Sequence, residues 1–536
     1  MTSPVSSRPS DCAWGAFDDV APWVLDPNNI SWEKQAIELR VSAQREVPVL
    51  TTPTRIPPVA RLVVVVWVLS KALVPWFVKK KLRPFATPED SRAYISLRMR
   101  KAVERLGSTY IKLGQIISSG EGLFPAELVN EFKLCRDQVP AIPFESVKKT
   151  IESELGKPLT EVFSYIDTTA LAAASIAQVH LATLITGEEV VVKVQRPTVS
   201  KMVRKDLRVM AWLAPHLVGR IKVSALANPP ALVELFAETI VEELDFRIEA
   251  SNMLDVAKML CELNQDRYII PRPHPTLATQ RVLVMQRLSG FKFDDVAGMK
   301  NAGIDTHSVI RTGMIAFMEG AMIYGVFHGD LHGGNLFVMP DGRTALLDFG
   351  IVGRLTGARR MAFLRLMLNA TTNNVVGQVE ALRDLGALPM DTDIHAVIKD
   401  LNLGDAAIDP TSLSGEELVQ EVQRIVKALM GYGARMPKEL MLYVKNMVFL
   451  DGAIARLAPE LDILGEITAI SMLFAERHGE RLGRELGVDH TAIEINLDSV
   501  KTGVLGVDAS VNSLTYRDLQ ARRELIQKRM RDHVGR

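Results

Sequence analysis

What this chain of 536 residues lacks sets its first limits. Cysteine is scarce: Cys12, Cys135 and Cys261 are odd in number and far apart, which excludes a disulfide framework and a cysteine-built zinc cluster. A reducing, cytosolic setting fits that usage. Net charge is also absent, because Lys+Arg and Asp+Glu both number 63. No global field therefore favours nucleic acid or an acidic partner, and any electrostatic function must be local. Residues 1 to about 29 hold Ser, Pro and Asp but no basic segment followed by an apolar run, so no signal peptide is expected and part of the stretch is expected to be disordered.

Long hydrophobic runs are missing too, with one marginal exception. Leu62 to Leu69 is strongly apolar, Lys71 and Pro75 are expected to interrupt it, Trp76-Phe77-Val78 follow, and Lys79-Lys80-Lys81 with Arg83 close the segment. A spanning helix needs roughly 20 mainly apolar residues, which this run barely reaches. Three readings of residues 59–83 stay open: a helix in a membrane interface with its lysines on anionic headgroups, a spanning helix, or a helix packed on the protein body. What the chain does have is 47% hydrophobic residues, ample for two or three domains with sizeable cores.

The most informative stretch is His328-Gly329-Asp330-Leu331-His332-Gly333-Gly334-Asn335, followed by a short apolar run and Asp348-Phe349-Gly350. An Asp, an Asn five residues on and a second Asp beyond a strand is the pattern phosphoryl transfer requires. Asp330 would orient the acceptor hydroxyl, while Asn335 and Asp348 would supply oxygens to Mg²⁺ beside the phosphates of ATP. His328 and His332 have no Cys or third His converging on them, so they are expected to brace the loop rather than bind metal.

Upstream, residues 162–197 read as strands. Val190 to Val194 is β-branched and carries Lys193, the expected ligand of the α- and β-phosphates. Before it, where a glycine-rich loop would cover the phosphates, stand Ala172, Ala173, Ala174 and Ser175; each Cβ keeps backbone farther from phosphate, although N–H donors and the Ser175 hydroxyl are expected to remain available. A helical insertion with Met202, Leu207, Trp212 and Leu213 follows, and a second helical pattern runs into Glu242-Glu243-Leu244-Asp245. Glu243 is the candidate partner of Lys193, with Glu238 and Glu242 competing. Arg281 to Met285 reads as a further strand, and Met285, Gln286 and Leu288 mark the hinge where adenine would meet backbone. Earlier still, Ser91 to Ser119 has helical periodicity, as one helix or two broken near Gly107, and places Lys112 and Gln115 three apart on one face.

These pieces together resemble the UbiB/ADCK (aarF-domain) atypical kinases. The resemblance rests on Lys112-Leu113-Gly114-Gln115, Ala172-Ala173-Ala174-Ser175, Glu243-Leu244-Asp245, Phe327 to Asn335 and Asp348-Phe349-Gly350 in that order, and covers about residues 90 to 460. It implies that Lys112 and Gln115 face the nucleotide pocket from a helix closing the peptide site, and that Glu243 and Asp245 fasten that extension and shape the metal site. It also implies ATPase or small-molecule kinase activity, in isoprenoid quinone biosynthesis or lipid homeostasis, usually at membranes.

Three departures stand beside it. Leu331 and Gly333 occupy positions where relatives often have proline, Ala177 stands for a frequent glycine, and Arg517 to Arg536 is strongly charged where relatives commonly have apolar helices. A tail of that composition cannot span a bilayer, so any membrane contact would come from elsewhere; a cytoplasmic place, with peripheral contact on the inner face of the membrane through residues 59–83 left open, is expected. Gly329 replaces the arginine that pairs with a phosphorylated activation loop, and no Ala-Pro-Glu follows Gly350 closely.

The expected fold is α+β and bilobal, protein-kinase-like, with a small β-containing N-lobe, a mainly helical C-lobe and a helical N-terminal extension carrying the Lys-x-Gly-Gln motif. Its parts are residues 1–88, an N-terminal segment; 89–161, the extension; 162–288, the N-lobe with its insertion; 289–480, the C-lobe; and 481–536, a charged tail. Helices near residues 375–385, 416–430 and 437–457 are expected to complete the C-lobe. The expected function is Mg-ATP-dependent chemistry on a small molecule, a lipid or a quinone precursor, with ADP as product and no nucleic acid partner. Two other classes stay open: an aminoglycoside- or choline-type phosphotransferase, and a nucleotide-sensing scaffold with little turnover. The oligomeric state is not legible.

Overall fold

The computed structural model describes residues 22–25, 30–83, 85–118, 125–135, 140–218, 228–372, 374–401, 429, 431–487 and 513–534. Among the described residues the chain opens with the helices α1 (Glu33–Thr51), α2 (Val59–Leu82), α3 (Pro88–Leu106) and α4 (Ser108–Ser118). Thr87 caps α3 by accepting from the Asp90 N–H, with Pro88 at the first helical position. At Gly107 the backbone takes φ 96° and ψ −165°, which only glycine adopts readily, so the periodic stretch is two helices.

The expected interruption of α2 does not occur. The helix runs unbroken through Lys71 and Pro75. Proline has no N–H for the Lys71 carbonyl, but the Arg98 guanidinium on α3 reaches across and donates to Lys71 O at 2.5 Å and Ala72 O at 2.8 Å. One stripe of α2, Val65, Val68 and Ala72, is buried. At its N-terminal end Arg61 pairs with the fully buried Asp206 at 2.6 Å.

Helices α5 (Ala126–Lys133) and α6 (Phe144–Leu155) lead into the small lobe. Its sheet holds β1 (Phe163–Ile166), β2 (Ala172–Ala173), β3 (Ala177–Leu184), β4 (Glu189–Gln195), β6 (Pro273–Ala278) and β7 (Val282–Gln286) in the order β1-β3-β4-β7-β6, with β2 on β3; β5 (Tyr268–Ile269) belongs to a second sheet, described below. Alternation along β4 buries Val190, Val192 and Val194 in one core with Val282 and Val284 and sends Lys193 to the opposite face. Between β4 and β5 come α7 (Val199–Leu217), α8 (Pro229–Glu242) and α9 (Phe246–Glu262). Helices α7 and α8 share a core with α1 to α4, built from residues such as Val65, Val103, Leu207 and Phe236.

The large lobe is mainly helical. After β8 (Phe291–Lys292) come α10 (Val296–Asn301) and α11 (Thr306–Glu319), then β9 (Val326–His328), β10 (Leu336–Val338), β11 (Thr344–Leu346) and β12 (Val352–Arg354). Strands β9 and β12 pair antiparallel, and β5-β11-β10-β8 form a small second sheet. Helices α12 (Ala358–Thr371), α13 (Val375–Asp384), α14 (Ile394–Asp400), α15 (Lys438–Leu457), α16 (Ile463–Leu486) and α17 (Tyr516–Val534) complete the described chain. The expected helix at 416–430 falls almost wholly outside the described residues. The architecture is the bilobal α+β one expected, and the candidate site residues 328–335 and 348–350 lie on β9, the loop after it and the β11–β12 connection.

Candidate active site

Two short antiparallel strand pairs, β9 with β12 and the β10–β11 hairpin between them in sequence, set the frame of the site. Gly329, between β9 and Asp330, donates its N–H to Ile351 O at 2.9 Å, and a Cβ there would sit 2.9 Å from that same oxygen. Arginine has no room at this position. His328 is buried and bridges the two motifs: Nε2 lies 3.0 Å from the carbonyl oxygens of Leu347 and Asp348, and Nδ1 accepts from the Asp330 N–H at 3.2 Å. Burial lowers its pKa, which suits a neutral ring donating on one side and accepting on the other. His332 Nδ1 accepts from the Gly334 N–H at 3.1 Å. Both histidines thus hold loop backbone.

Asn335 is buried, and its Nδ2 donates to Asp330 O at 3.0 Å. Asp348 has φ 56°, an unusual conformation for a residue with a side chain. Its Oδ1 accepts from Lys193 Nζ at 3.0 Å and from Gly350 N at 3.2 Å, while 46% of the side chain stays exposed to the cleft. Burial opposes ionisation of Asp348, but Lys193 and Lys112 outweigh it and hold the carboxyl down at about 2. At Asp330 the same opposition is won by Lys445 and Lys112, which keep the carboxyl well below the usual range.

Lys193 does not pair with Glu243. Its Nζ meets Glu249 Oε1 at 2.7 Å, and neither Glu238 nor Glu242 takes that place. Glu243 lies in the turn between α8 and α9, where it meets Lys112 Nζ at 2.8 Å. Glu249 lies in the first turns of α9, on a face that also buries Ala250, Met253 and Val256. A carboxylate among such neighbours needs a cation, and β4 supplies it. Burial pushes the Glu249 carboxyl up to about 7 despite Lys193, and raises Glu243 despite Lys112.

Asp245 starts the helix that carries Glu249. It caps α9 by accepting from the Arg247 N–H at 3.1 Å and pairs with the Arg247 guanidinium at 2.7 Å. It thereby fastens the first turn of α9. Gln115 stands on α4 beside Lys112, half-buried, and its carbonyl accepts from Ser118 Oγ at 2.7 Å.

Two covering segments are more occupied than their sequence suggests. Ala172 and Ala173 pair with Val179 and Gln178, and the Ala174 N–H is spent on Ala177 O at 2.8 Å. Ser175 is buried, so its hydroxyl is not displayed on the loop surface. At the hinge, Gln286 is buried with its N–H on Arg272 O at 2.9 Å and its side-chain oxygen accepting from Arg272 N at 3.2 Å, while Met285 and Leu288 are half-buried. Gln286 N–H is therefore not the donor adenine would meet.

A model of the ABC1 atypical kinase-like domain matches residues 134–382. A chloroplastic aarF domain-containing protein kinase of Arabidopsis thaliana is 32% identical over 400 residues, spanning 69% of this chain and 73% of that relative. The chain belongs to the ABC1/aarF-domain atypical kinase family. Among other members, a Mycobacterium tuberculosis H37Rv protein is 34% identical over 67% of this chain and 74% of its own. A Marinobacter nauticus protein described as "Probable protein kinase UbiB" is 30% identical over 73% of this chain and 70% of its own. Among solved structures, that of the Mycobacterium tuberculosis Rv3197–erythromycin complex is 21% identical and covers 61% of this chain and 89% of its own at a TM-score of 0.36, a likeness too loose to build on.

Within this ABC1-family site, sequence reasoning missed Glu249, Lys445 and Asn446. Glu249 had a signal, a lone acid on the apolar face of a helix that starts at an Asp cap. Lys445 and Asn446 had none, since they reach Asp330 and the backbone on either side of it only through the packing of α15.

Proposed function

We propose that this chain is an Mg-ATP-dependent atypical kinase or ATPase acting on a small or lipid-like acceptor. The observation that carries the reading is the convergence of Lys193, Glu249, Asp330, Asn335 and Asp348 on one cleft, with Lys112 entering from the N-terminal helices. Lys193, oriented by Glu249, would hold the α- and β-phosphates.

The donor set fits Mg²⁺. Asp348 offers an exposed carboxylate, and the Asn335 amide, anchored through its nitrogen, leaves its oxygen for a ligand. Among the described residues no group of three or more His, Cys, Asp or Glu is placed to hold a metal. Two protein oxygens completed by phosphate oxygens is how this ion is usually held. When bound, Mg²⁺ neutralises charge on the phosphates.

In transfer, the bond from the acceptor oxygen to the γ-phosphorus forms as the β–γ bridging P–O bond breaks, and ADP leaves with the electron pair. Asp330 accepts the hydrogen bond of the acceptor hydroxyl and orients it. The transition state is loose, so the proton is lost late and a weakly basic carboxylate suffices. The acceptor proton then passes through Asp330 to solvent.

Support for a lipid or quinone-precursor acceptor comes from the family, whose members include proteins described as UbiB. It also comes from α2, which is long and apolar enough to cross a membrane by length and composition, with 17% of its most apolar window buried. Val63, Trp67 and Val74 are more than half exposed along one stripe, flanked by Phe77 and followed by Lys79, Lys80 and Lys81. That is the composition of a helix lying in an interface with its basic end on headgroups, and we place this protein's membrane contact there.

The test separates binding from turnover. Asp348→Asn is expected to abolish Mg-dependent ATP binding, as chelation of Mg²⁺ would in the wild type. Asp330→Asn is expected to bind ATP normally while turnover falls by ~10³-fold or more. Equal binding and turnover in all three proteins would sink the assignment.

A further inference from the structure

Lys112 belongs to a motif that carries the family resemblance, and Lys193 is the strand lysine expected to meet the phosphates. The site holds a third lysine that belongs to no such motif. Lys445 is 115 residues beyond Asp330, on α15, yet its ammonium forms an ion pair with Asp330 Oδ1. Only 21% of the lysine side chain and 19% of the aspartate side chain are exposed, so solvent screens the pair weakly.

The neighbouring residue shows that this contact is part of a larger grip. Asn446 is fully buried; its Oδ1 accepts from the Leu331 N–H at 3.0 Å, and its Nδ2 donates to His328 O. Adjacent residues of one helix thus hold the backbone on both sides of Asp330 and the carboxylate itself. The helix is fixed at both ends: Lys438 pairs with Glu242 at 2.7 Å, and Thr306 Oγ1 donates to Leu457 O at 2.8 Å. Leu442, Leu450, Ala453 and Ile454 bury its inner face.

A carboxylate accepting a hydroxyl proton works only in one orientation, and a free aspartate rotates about its terminal torsion. Asn446 fixes where the Asp330 backbone lies but not which oxygen faces the acceptor. Lys445 fixes that, by occupying Oδ1. Resting on the kinase reading, we propose that Lys445 is a positioning residue of the phosphoryl-transfer site: it pins Asp330 through Oδ1 and thereby presents Oδ2 to the acceptor hydroxyl.

The test uses the full chain with Mg-ATP, measuring ADP release for kcat and KM and titrating a fluorescent ATP analogue for affinity. Lys445→Met is expected to lower kcat by ~10- to 100-fold, the cost of a misplaced reacting group, with ATP affinity within about threefold of wild type. Lys445→Arg, which keeps a donor cation, is expected to recover most of that loss. Combining Lys445→Met with Asp330→Asn should cost no more than Asp330→Asn alone, because both act through one carboxylate. An unchanged kcat in Lys445→Met, losses that multiply in the double variant, or an arginine variant as poor as the methionine one would each overturn the proposal. A wild-type chain that neither binds nor hydrolyses ATP would overturn the kinase reading and this inference together.

Discussion

Glu249 shows how one residue's surroundings set its chemistry. It is buried against Lys193, and burial holds its carboxyl at about 7, above its ordinary 4.5. With a folded-state pKa raised above the unfolded one, its contribution to stability is complete below pH 4.5 and is lost as pH rises through about 7. Glu249→Gln keeps the shape without the titration. It is therefore expected to flatten the dependence of Tm on pH between about pH 5 and 8 in the nucleotide-free protein. A wild-type slope in that variant would mean that Glu249 is ionised throughout. In the sequence Glu243 ranks first, with Glu238 and Glu242 competing, and Glu249 is passed over, because the choice depends on which acid faces β4. That Asp330, Asn335, Asp348 and Lys193 share one site was legible from spacing and motif order, and the structure brings Lys193 onto Asp348 and Asn335 onto the Asp330 backbone.

At the scale of elements, local signals were good where backbone chemistry decides and poor where a neighbour intervenes. Gly107 ends α3 in a conformation that costs a side-chain-bearing residue ~1–3 kcal/mol, and nothing lies within 4 Å of the point a Cβ would occupy to add a clash. Gly107→Ala is thus expected to lower stability by about that amount in urea unfolding through backbone strain alone. An unaffected midpoint would show that the junction tolerates an ordinary residue. Pro75 illustrates the opposite case. It read as a break because proline leaves a carbonyl without its helical donor. Arg98, on the next helix, supplies the missing donor, and no local rule could have anticipated an arginine 23 positions away. The same holds for Lys445 and Asn446, which secure the catalytic loop from a helix more than a hundred residues downstream.

For the whole molecule, the two lobes place Lys193 and Glu249 above the cleft and Asp330, Asn335 and Asp348 below it, with the N-terminal helices joined to α7 and α8 through one core. Helix α2 is the most apolar surface of that layer. In vesicle co-sedimentation, Trp67→Asp with Phe77→Asp is expected to abolish binding. Replacing Lys79, Lys80 and Lys81 by Gln is expected to weaken it by ~1 kcal/mol per lysine, on anionic vesicles only. Equal sedimentation of wild type and both variants would return α2 to a packed-helix role.

By itself the sequence determined the fold class, the family and the offsets of the candidate site residues, because these rest on periodicities and spacings that short stretches of backbone enforce. Tertiary structure alone decided which acid meets Lys193, which arginine rescues Pro75 and which lysine holds Asp330. A buried charge or an orphaned carbonyl dictates that a partner must exist, and only packing decides who arrives.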